Sequence, residues 1–177
     1  MTLEEVANYL LVTKKTIYRL LERHRIPAVR VGHQWRFDEA SIDDWLRQNS
    51  TETVADVLVI DNDQTICDLF QDTLQINGHT VTTASDSFKG LELAENNDYD
   101  LVFLDLKMPG IDGAELYRRI KIVKPELPVT IITGYPDSDL MMKVLTYGPF
   151  GIMKKPFAGS DILAALNTYL RFSVTNR

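Results

Sequence analysis

Apolar residues fall into two rhythms along this chain, and the change of rhythm divides it. In the first fifty residues they recur at helical spacing: Leu3, Val6, Ala7 and Leu10, then Ile17, Leu20 and Leu21, then Ile42, Trp45 and Leu46. This spacing predicts three short amphipathic helices. Thr2 with Glu5 forms a capping box for the first, Thr13 can cap the second, and Asp38 the third. The second helix is expected to reach about Arg23, with Lys14, Lys15, Tyr18, Arg19 and Glu22 on its polar face. Pro27 prevents its continuation. Ala28–Val31 and Gln34–Phe37 read as short strands around Gly32-His33, where glycine supplies the positive φ of a tight hairpin. Two helices, a hairpin and a third helix make a winged-helix plan.

From Asp56 onward, apolar strands alternate with amphipathic helices five times. The strands are Val57–Ile60, Thr80–Ala84, Leu101–Leu104, Val129–Thr133 and Phe150–Lys154. The helices between and after them are marked in turn by Ile66, Leu69, Phe70 and Leu74; by Phe88, Leu91, Leu93 and Ala94; by Leu116, Ile120 and Val123; by Leu140, Met141, Val144 and Leu145; and by Ile162, Leu163, Leu166, Tyr169 and Leu170. A (βα)₅ order implies a doubly wound parallel α/β sheet with helices on both faces. The expected division is a winged helix-turn-helix at 1–49, a polar linker at 50–55, the α/β domain at 56–172 and a tail at 173–177.

Composition narrows the setting. The only cysteine is Cys67, so no internal disulfide is possible, and three scattered histidines assemble no zinc site. No apolar run approaches the ~18 residues of a membrane span and no charged-then-apolar leader opens the sequence. A soluble, cytoplasmic protein without a membrane partner is expected. Charge is uneven: residues 1–50 carry eight Lys/Arg against seven Asp/Glu (+1) and residues 51–177 eleven against eighteen (−7), which sum to −6. Within Lys14–Arg36, seven basic residues face one acid, Glu22. A local +6 on an acidic chain suggests a polyanion as partner.

One stretch points to chemistry. Leu101-Val102-Phe103-Leu104 ends abruptly in Asp105, and the chain turns at Pro109-Gly110 before the next helix signal. A buried parallel strand delivers an acid this way to the carboxyl edge of a sheet, where α/β proteins place their sites. On its own Asp105 could also be a strand-end residue that caps a turn. Asp105-Leu106-Lys107-Met108-Pro109 with Gly113, Val57–Ile60 followed by Asp61-Asn62-Asp63, Thr133-Gly134, and Lys155-Pro156-Phe157 all fall at predicted strand ends. Together, over residues 56–172, they resemble the receiver domain of two-component response regulators. The resemblance implies a flavodoxin-like sheet of order 2-1-3-4-5 and a phosphorelay. Asp105 would be the phosphoacceptor, receiving its phosphoryl group from a histidine kinase or phosphotransfer protein. Mg²⁺ would be held by Asp61, Asn62, Asp105 and the Lys107 carbonyl. Thr133 and Lys155 would bind the phosphoryl oxygens, the bond before Pro156 would be cis, and two copies would pair through the face of helix 4, strand 5 and helix 5. Two positions depart from the pattern. Asn62 replaces a second acid, which weakens the metal site, and Ile152 replaces the aromatic switch residue.

Leu3–Ala7, Val12–Leu20, Arg25–Gly32, Trp35-Arg36-Phe37 and Trp45-Leu46 resemble the excisionase-type, MerR-related DNA-binding module, with Leu11 where many members carry glycine. This implies double-stranded DNA as a partner, with Lys14, Lys15, Thr16 and Arg19 on the recognition helix and Arg30, His33, Gln34 and Arg36 on the wing. The combined reading is a response regulator, not an enzyme, in which phosphorylation of Asp105 modulates DNA binding. The acidic domain could also silence the basic one by lying on it. Two alternatives stay open: a degenerate receiver that works without phosphorylation, and a haloacid-dehalogenase-like phosphatase. The second would use Asp61 as nucleophile and Asp63 as acid/base, but no distal acidic pair follows a strand.

Overall fold

A computed structural model of the chain describes residues 1–22, 26–48 and 54–174. Arg23–Arg25, most of the expected linker and the last three residues lie outside them.

The N-terminal half holds α1 (Leu3–Tyr9), α2 (Lys14–Glu22), β1 (Val29–Val31), β2 (Gln34–Arg36) and α3 (Glu39–Gln48). The capping box forms: Thr2 Oγ1 accepts from the Glu5 amide, and the Glu5 carboxylate accepts from the Thr2 amide. At the other end of α1, the Leu11 amide donates to Asn8 O and the Val12 amide to Ala7 O. These two bonds make a Schellman motif, whose left-handed residue is usually glycine. Here it is Leu11, at φ +55°. A left-handed backbone costs a side-chain-bearing residue about 1–2 kcal/mol, so its side chain must return that energy elsewhere. β1 and β2 pair antiparallel, Val29 opposite Arg36, around Gly32 at φ +61°. The Asp38 carboxylate accepts from the Ser41 amide at 2.9 Å at the start of α3.

The C-terminal half runs β3 (Asp56–Ile60), α4 (Gln64–Ile76), β4 (Thr80–Ala84), α5 (Ser87–Asn96), β5 (Leu101–Asp105), α6 (Gly113–Val123), β6 (Val129–Thr133), α7 (Asp139–Tyr147), β7 (Gly151–Lys154) and α8 (Gly159–Val174). The five strands form one parallel sheet of order β4-β3-β5-β6-β7. Counted from β3 this is 2-1-3-4-5, with the order reversing between β3 and β5. The chain's acids at strand ends meet at that reversal. Phe88 departs from the expected helical face: it is 65% exposed, and its ring lies beside Gly110 in the turn after β5. Spacing alone puts it inward, but the turn, not the sheet, is its neighbour.

The two halves share a core. Val6, Leu10, Val12 and Ile17 belong to the same buried apolar cluster as Phe150, Met153, Leu166, Tyr169 and Leu170. Val12 forms an antiparallel bridge to Gly151, so the α1–α2 turn lies along the outer edge of β7. Part of the β7–α8 face is thus covered by the chain's own N-terminal half.

The ring of Phe70, fully buried on α4, packs on Phe103 at 4.7 Å and edge-on to Phe157 at 5.8 Å. Removing it opens a cavity that three elements line. Phe70→Ala is expected to destabilise the fold by about 3–5 kcal/mol, read as a lowered urea midpoint.

Candidate functional site

Asp61 follows β3 directly and Asp105 ends β5, so the reversal of strand order brings both carboxylates to one edge. Both are buried. Lys155, just after β7, reaches across to them. Its Nζ lies 2.8 Å from Asp61 Oδ2 and 3.3 Å from Asp105 Oδ1. Backbone amides complete the set: Asp63 N–H donates to Asp61 Oδ1 at 2.9 Å, and Lys107 N–H to Asp105 Oδ2 at 3.0 Å. The Lys155–Pro156 bond is cis.

Two carboxylates face one ammonium, and the imbalance shows. Burial raises the pKa of Asp105, the charge of Asp61 raises it further, and Lys155 offsets this only in part. Burial pulls Lys155 down, but the two acids outweigh it and its pKa rises. The pocket is short of one positive charge. Oxygen donors gathered around such a deficit suit a hard divalent cation. Asp61 and Asp105 are the carboxylates here that could hold one. Asn62 is exposed, and Asp63 turns away to cap α4, its Oδ1 accepting from Thr65 N–H at 2.9 Å. Among the described residues no cluster of three or more His, Cys, Asp or Glu side chains could hold a metal alone. The cradle carries two carboxylates, not three.

Thr133 ends β6 buried, and its hydroxyl accepts from Tyr135 N–H at 3.0 Å. A Cβ on Gly134 would meet nothing within 4 Å, whereas one on Gly113 would stand 2.4 Å from Leu106 Cα. Open space is thus kept beside Thr133, and α6 is kept tight on the loop after Asp105. Ile152 is half-buried and opposite Ile131 in the sheet. Two further contacts brace the loops. Ser87 is fully buried, accepts from Ile111 N–H at 2.9 Å and donates to Pro109 O at 3.2 Å. Lys107 Nζ sits 4.3 Å from the Tyr135 ring centroid, which joins the Asp105 and Thr133 loops. Neither contact has a local sequence signal, since each joins residues more than twenty positions apart.

The family model of the response regulator receiver domain matches residues 57–167. The chain belongs to that family. A helix-turn-helix domain model matches residues 1–50. Response regulator MprA of Mycobacterium sp. (strain KMS) is 32% identical over 115 residues, covering 65% of this chain and 50% of its own. Cell cycle transcriptional regulator CtrA of Caulobacter vibrioides (strain NA1000 / CB15N) is 29% identical over 117 residues, 66% of this chain and 51% of its own. The chain thus spans about half the length of these curated relatives. A CheY-like receiver domain protein from Methanospirillum hungatei JF-1 superposes with TM-score 0.67 at 25% identity, covering 71% of this chain and 100% of that one.

The eight residues expected to face DNA separate into two groups. Lys14, His33, Gln34 and Arg36, with Tyr18 and Trp35, line an open groove of about 420 Å³ between α1, α2 and the hairpin. Arg36 is braced there by donating to Gln34 Oε1 at 2.6 Å, and Arg30 lies 5.8 Å from the Trp35 ring. Tyr18 is 52% exposed. Thr16 instead is 1% exposed and donates to Phe150 O at 2.6 Å, across the junction with the receiver. It is closed to DNA in this arrangement. Lys15 runs against Gly148. The charge of Arg19 helps to depress the pKa of Lys121, although burial is the larger cause.

The raised pKa of Asp105 makes a stability prediction. The folded state holds this proton more tightly than the unfolded one. Stability is therefore lost as pH rises from the ordinary carboxylate range through the raised value, and the full penalty applies at neutral pH. Asp105→Asn should raise the melting temperature at pH 7–8 and lose that advantage below about pH 4.

Proposed function

We propose that the chain is a phosphorylation-dependent DNA-binding regulator whose acceptor is Asp105. The carrying observation is the buried Asp61–Asp105–Lys155 cluster at the sheet edge, in a chain of the receiver family. An Asp105 carboxylate oxygen forms a bond to the phosphorus of a phosphohistidine donor. The P–N bond breaks, its electron pair stays on the imidazole nitrogen, and the product is an acyl phosphate. Lys155 is placed to neutralise a phosphoryl oxygen, and Thr133, by turning its hydroxyl from the Tyr135 amide, to donate to another. Mg²⁺, held by Asp61, Asp105 and the Lys107 carbonyl with help from Asn62, would supply charge neutralisation of the transferring group. Asn62 brings no charge, so affinity for the cation is lower than with an acid there.

The two-module division at 1–49 and 56–172, the histidine kinase or phosphotransfer donor, and a cytoplasmic setting follow from the same reading. It needs no enzymatic turnover by this chain. No helix among the described residues is long and apolar enough to cross a membrane. The groove of Lys14, His33, Gln34 and Arg36 supports double-stranded DNA as the polyanion, with Lys15, Arg19 and Arg30 extending the basic surface.

Acetyl phosphate with Mg²⁺ should label the chain once, with a hydroxylamine-labile bond that Asp105→Asn abolishes. Sustained turnover of p-nitrophenyl phosphate would instead favour a phosphatase. Asn62→Asp should tighten Mg²⁺ binding, read by fluorescence titration.

DNA contact makes a separate prediction. Arg36→Ala should weaken binding to mixed-sequence duplexes and reduce the slope of log K against log salt by about one.

A further inference from the structure

The winding of α2 decides which of its side chains look away from the shared core. With 3.6 residues per turn, Lys14, Tyr18, Glu22, Lys15 and Arg19 follow one another around its polar side, and Thr16 comes next. Lys14 and Tyr18 border the wing groove. At the opposite margin Thr16 Oγ1 donates to Phe150 O at 2.6 Å, so the receiver begins where this side of the helix ends. Lys15 and Arg19 therefore stand between the wing and the receiver.

The receiver surface that continues from them runs against the composition of its own domain. Residues 51–177 carry −7, yet α6 holds Arg118, Arg119, Lys121 and Lys124 against Glu115, or +4 − 1 = +3. A chain of contacts joins this helix to α2. A Cβ on Gly148 would stand 2.7 Å from Lys15 Nζ, which puts Lys15 at the C-cap of α7. One residue earlier, the Tyr147 ring stacks on the Tyr117 ring of α6, with centroids 5.9 Å apart and planes 6° from parallel. Arg118 follows Tyr117, and Lys121 lies one turn further on. Burial chiefly, and the nearby charge of Arg19 in addition, lower the pKa of Lys121. On α7, Lys143 is one turn before Tyr147 and exposed. Arg118 is exposed too, and the Glu115 carboxylate is shared between it and Arg119 at 2.8 Å. One carboxylate between two guanidinium groups leaves a net positive charge.

We propose that duplex DNA bound by α2 extends onto the receiver, where Arg118 and Lys143 contact its phosphates on the flank opposite the wing. The proposal rests on the DNA-binding reading above. The major groove is about 12 Å wide, and a helix with its side chains is about 10–12 Å across. A helix that enters it has a sugar–phosphate strand on either side. One strand meets the wing, at His33 and Arg36. The other meets whatever flanks Lys15 and Arg19, and that flank is built by α6 and α7. An acidic surface in that place would repel the strand, whereas cations one turn back from the helix ends attract it. Phosphate contacts position a protein on DNA without reading its sequence. The receiver thus lengthens the footprint and adds affinity, while base reading stays with α2.

Each phosphate contact contributes about 0.9 to the slope of log K against log salt. The test uses the full chain and random-sequence duplexes, with binding followed by fluorescence anisotropy between roughly 50 and 200 mM salt. Arg118→Ala and Lys143→Ala should each lower the slope by about one and weaken binding alike on every sequence. Lys89→Ala on α5 removes the same charge away from this flank and should leave the slope unchanged. A photo-crosslinker attached at Arg118→Cys reports position instead of charge, since the natural Cys67 is buried. It is expected to join DNA in the saturated complex, and the same group at Lys89→Cys is not. An equal fall in slope for all three alanine variants, or a fall in none, overturns the proposal. So does a saturated complex in which Arg118→Cys gives no crosslink. If the wild type forms no salt-sensitive complex, the DNA-binding reading itself falls and this one with it. That outcome is told apart from the others because no complex forms.

Discussion

Two buried carboxylates held against a single lysine set the terms for the rest of this molecule. Each acid is placed by the end of a different parallel strand, and the lysine by a third, so no local segment could build the cluster alone. Burial makes the charge imbalance expensive, because a desolvated carboxylate near another is poorly screened. The raised pKa of Asp105 is the sign of that expense. Backbone amides from Asp63 and Lys107 relieve it in part, and their positions require the tight turns that follow β3 and β5. Gly113 and Ser87 exist in the fold to hold the second turn closed against α6 and α5. An arrangement kept short of positive charge favours the approach of a cation.

Much of this was legible from residue order, for a physical reason. A parallel sheet buries its strands on both faces, so they read as apolar runs, and an acid just past such a run stands out. Asp61 and Asp105 are of this kind, and Thr133 and Lys155 stand at strand ends in the same way. Capping signals at Thr2 and Asp38 were equally local, and both form. What order could not carry was anything made by two distant segments. Thr16 fits the polar-to-apolar boundary of an amphipathic helix, and only the receiver's Phe150 carbonyl decides that it faces protein. Phe88 has the spacing of a core residue, yet lies against a turn. Nor could residue order show that Thr13 and Thr16 would donate to main-chain carbonyls of the receiver.

Leu11 shows how a departure from a family pattern acquires a physical meaning. Glycine would meet the left-handed geometry of this turn without strain. Leucine accepts that strain and adds apolar surface to a cluster that both halves share. A burial of that size is worth about 1.5–3 kcal/mol when complete, and Leu11 is only half-buried, so gain and strain are comparable. The strain at Leu11 and the burial of its side chain therefore come close to cancelling.

The departures at Asn62 and Ile152 leave the sheet-edge site with two carboxylates and β7 with an aliphatic side chain opposite Ile131. β7 begins at Gly151 and leads into Lys155, paired along its length with the strand that ends in Thr133. Packed strands move as units, since close-packed interiors transmit displacement instead of absorbing it. A contact as tight as Gly151 against the Leu11 carbonyl is sensitive to displacements of a few tenths of an ångström.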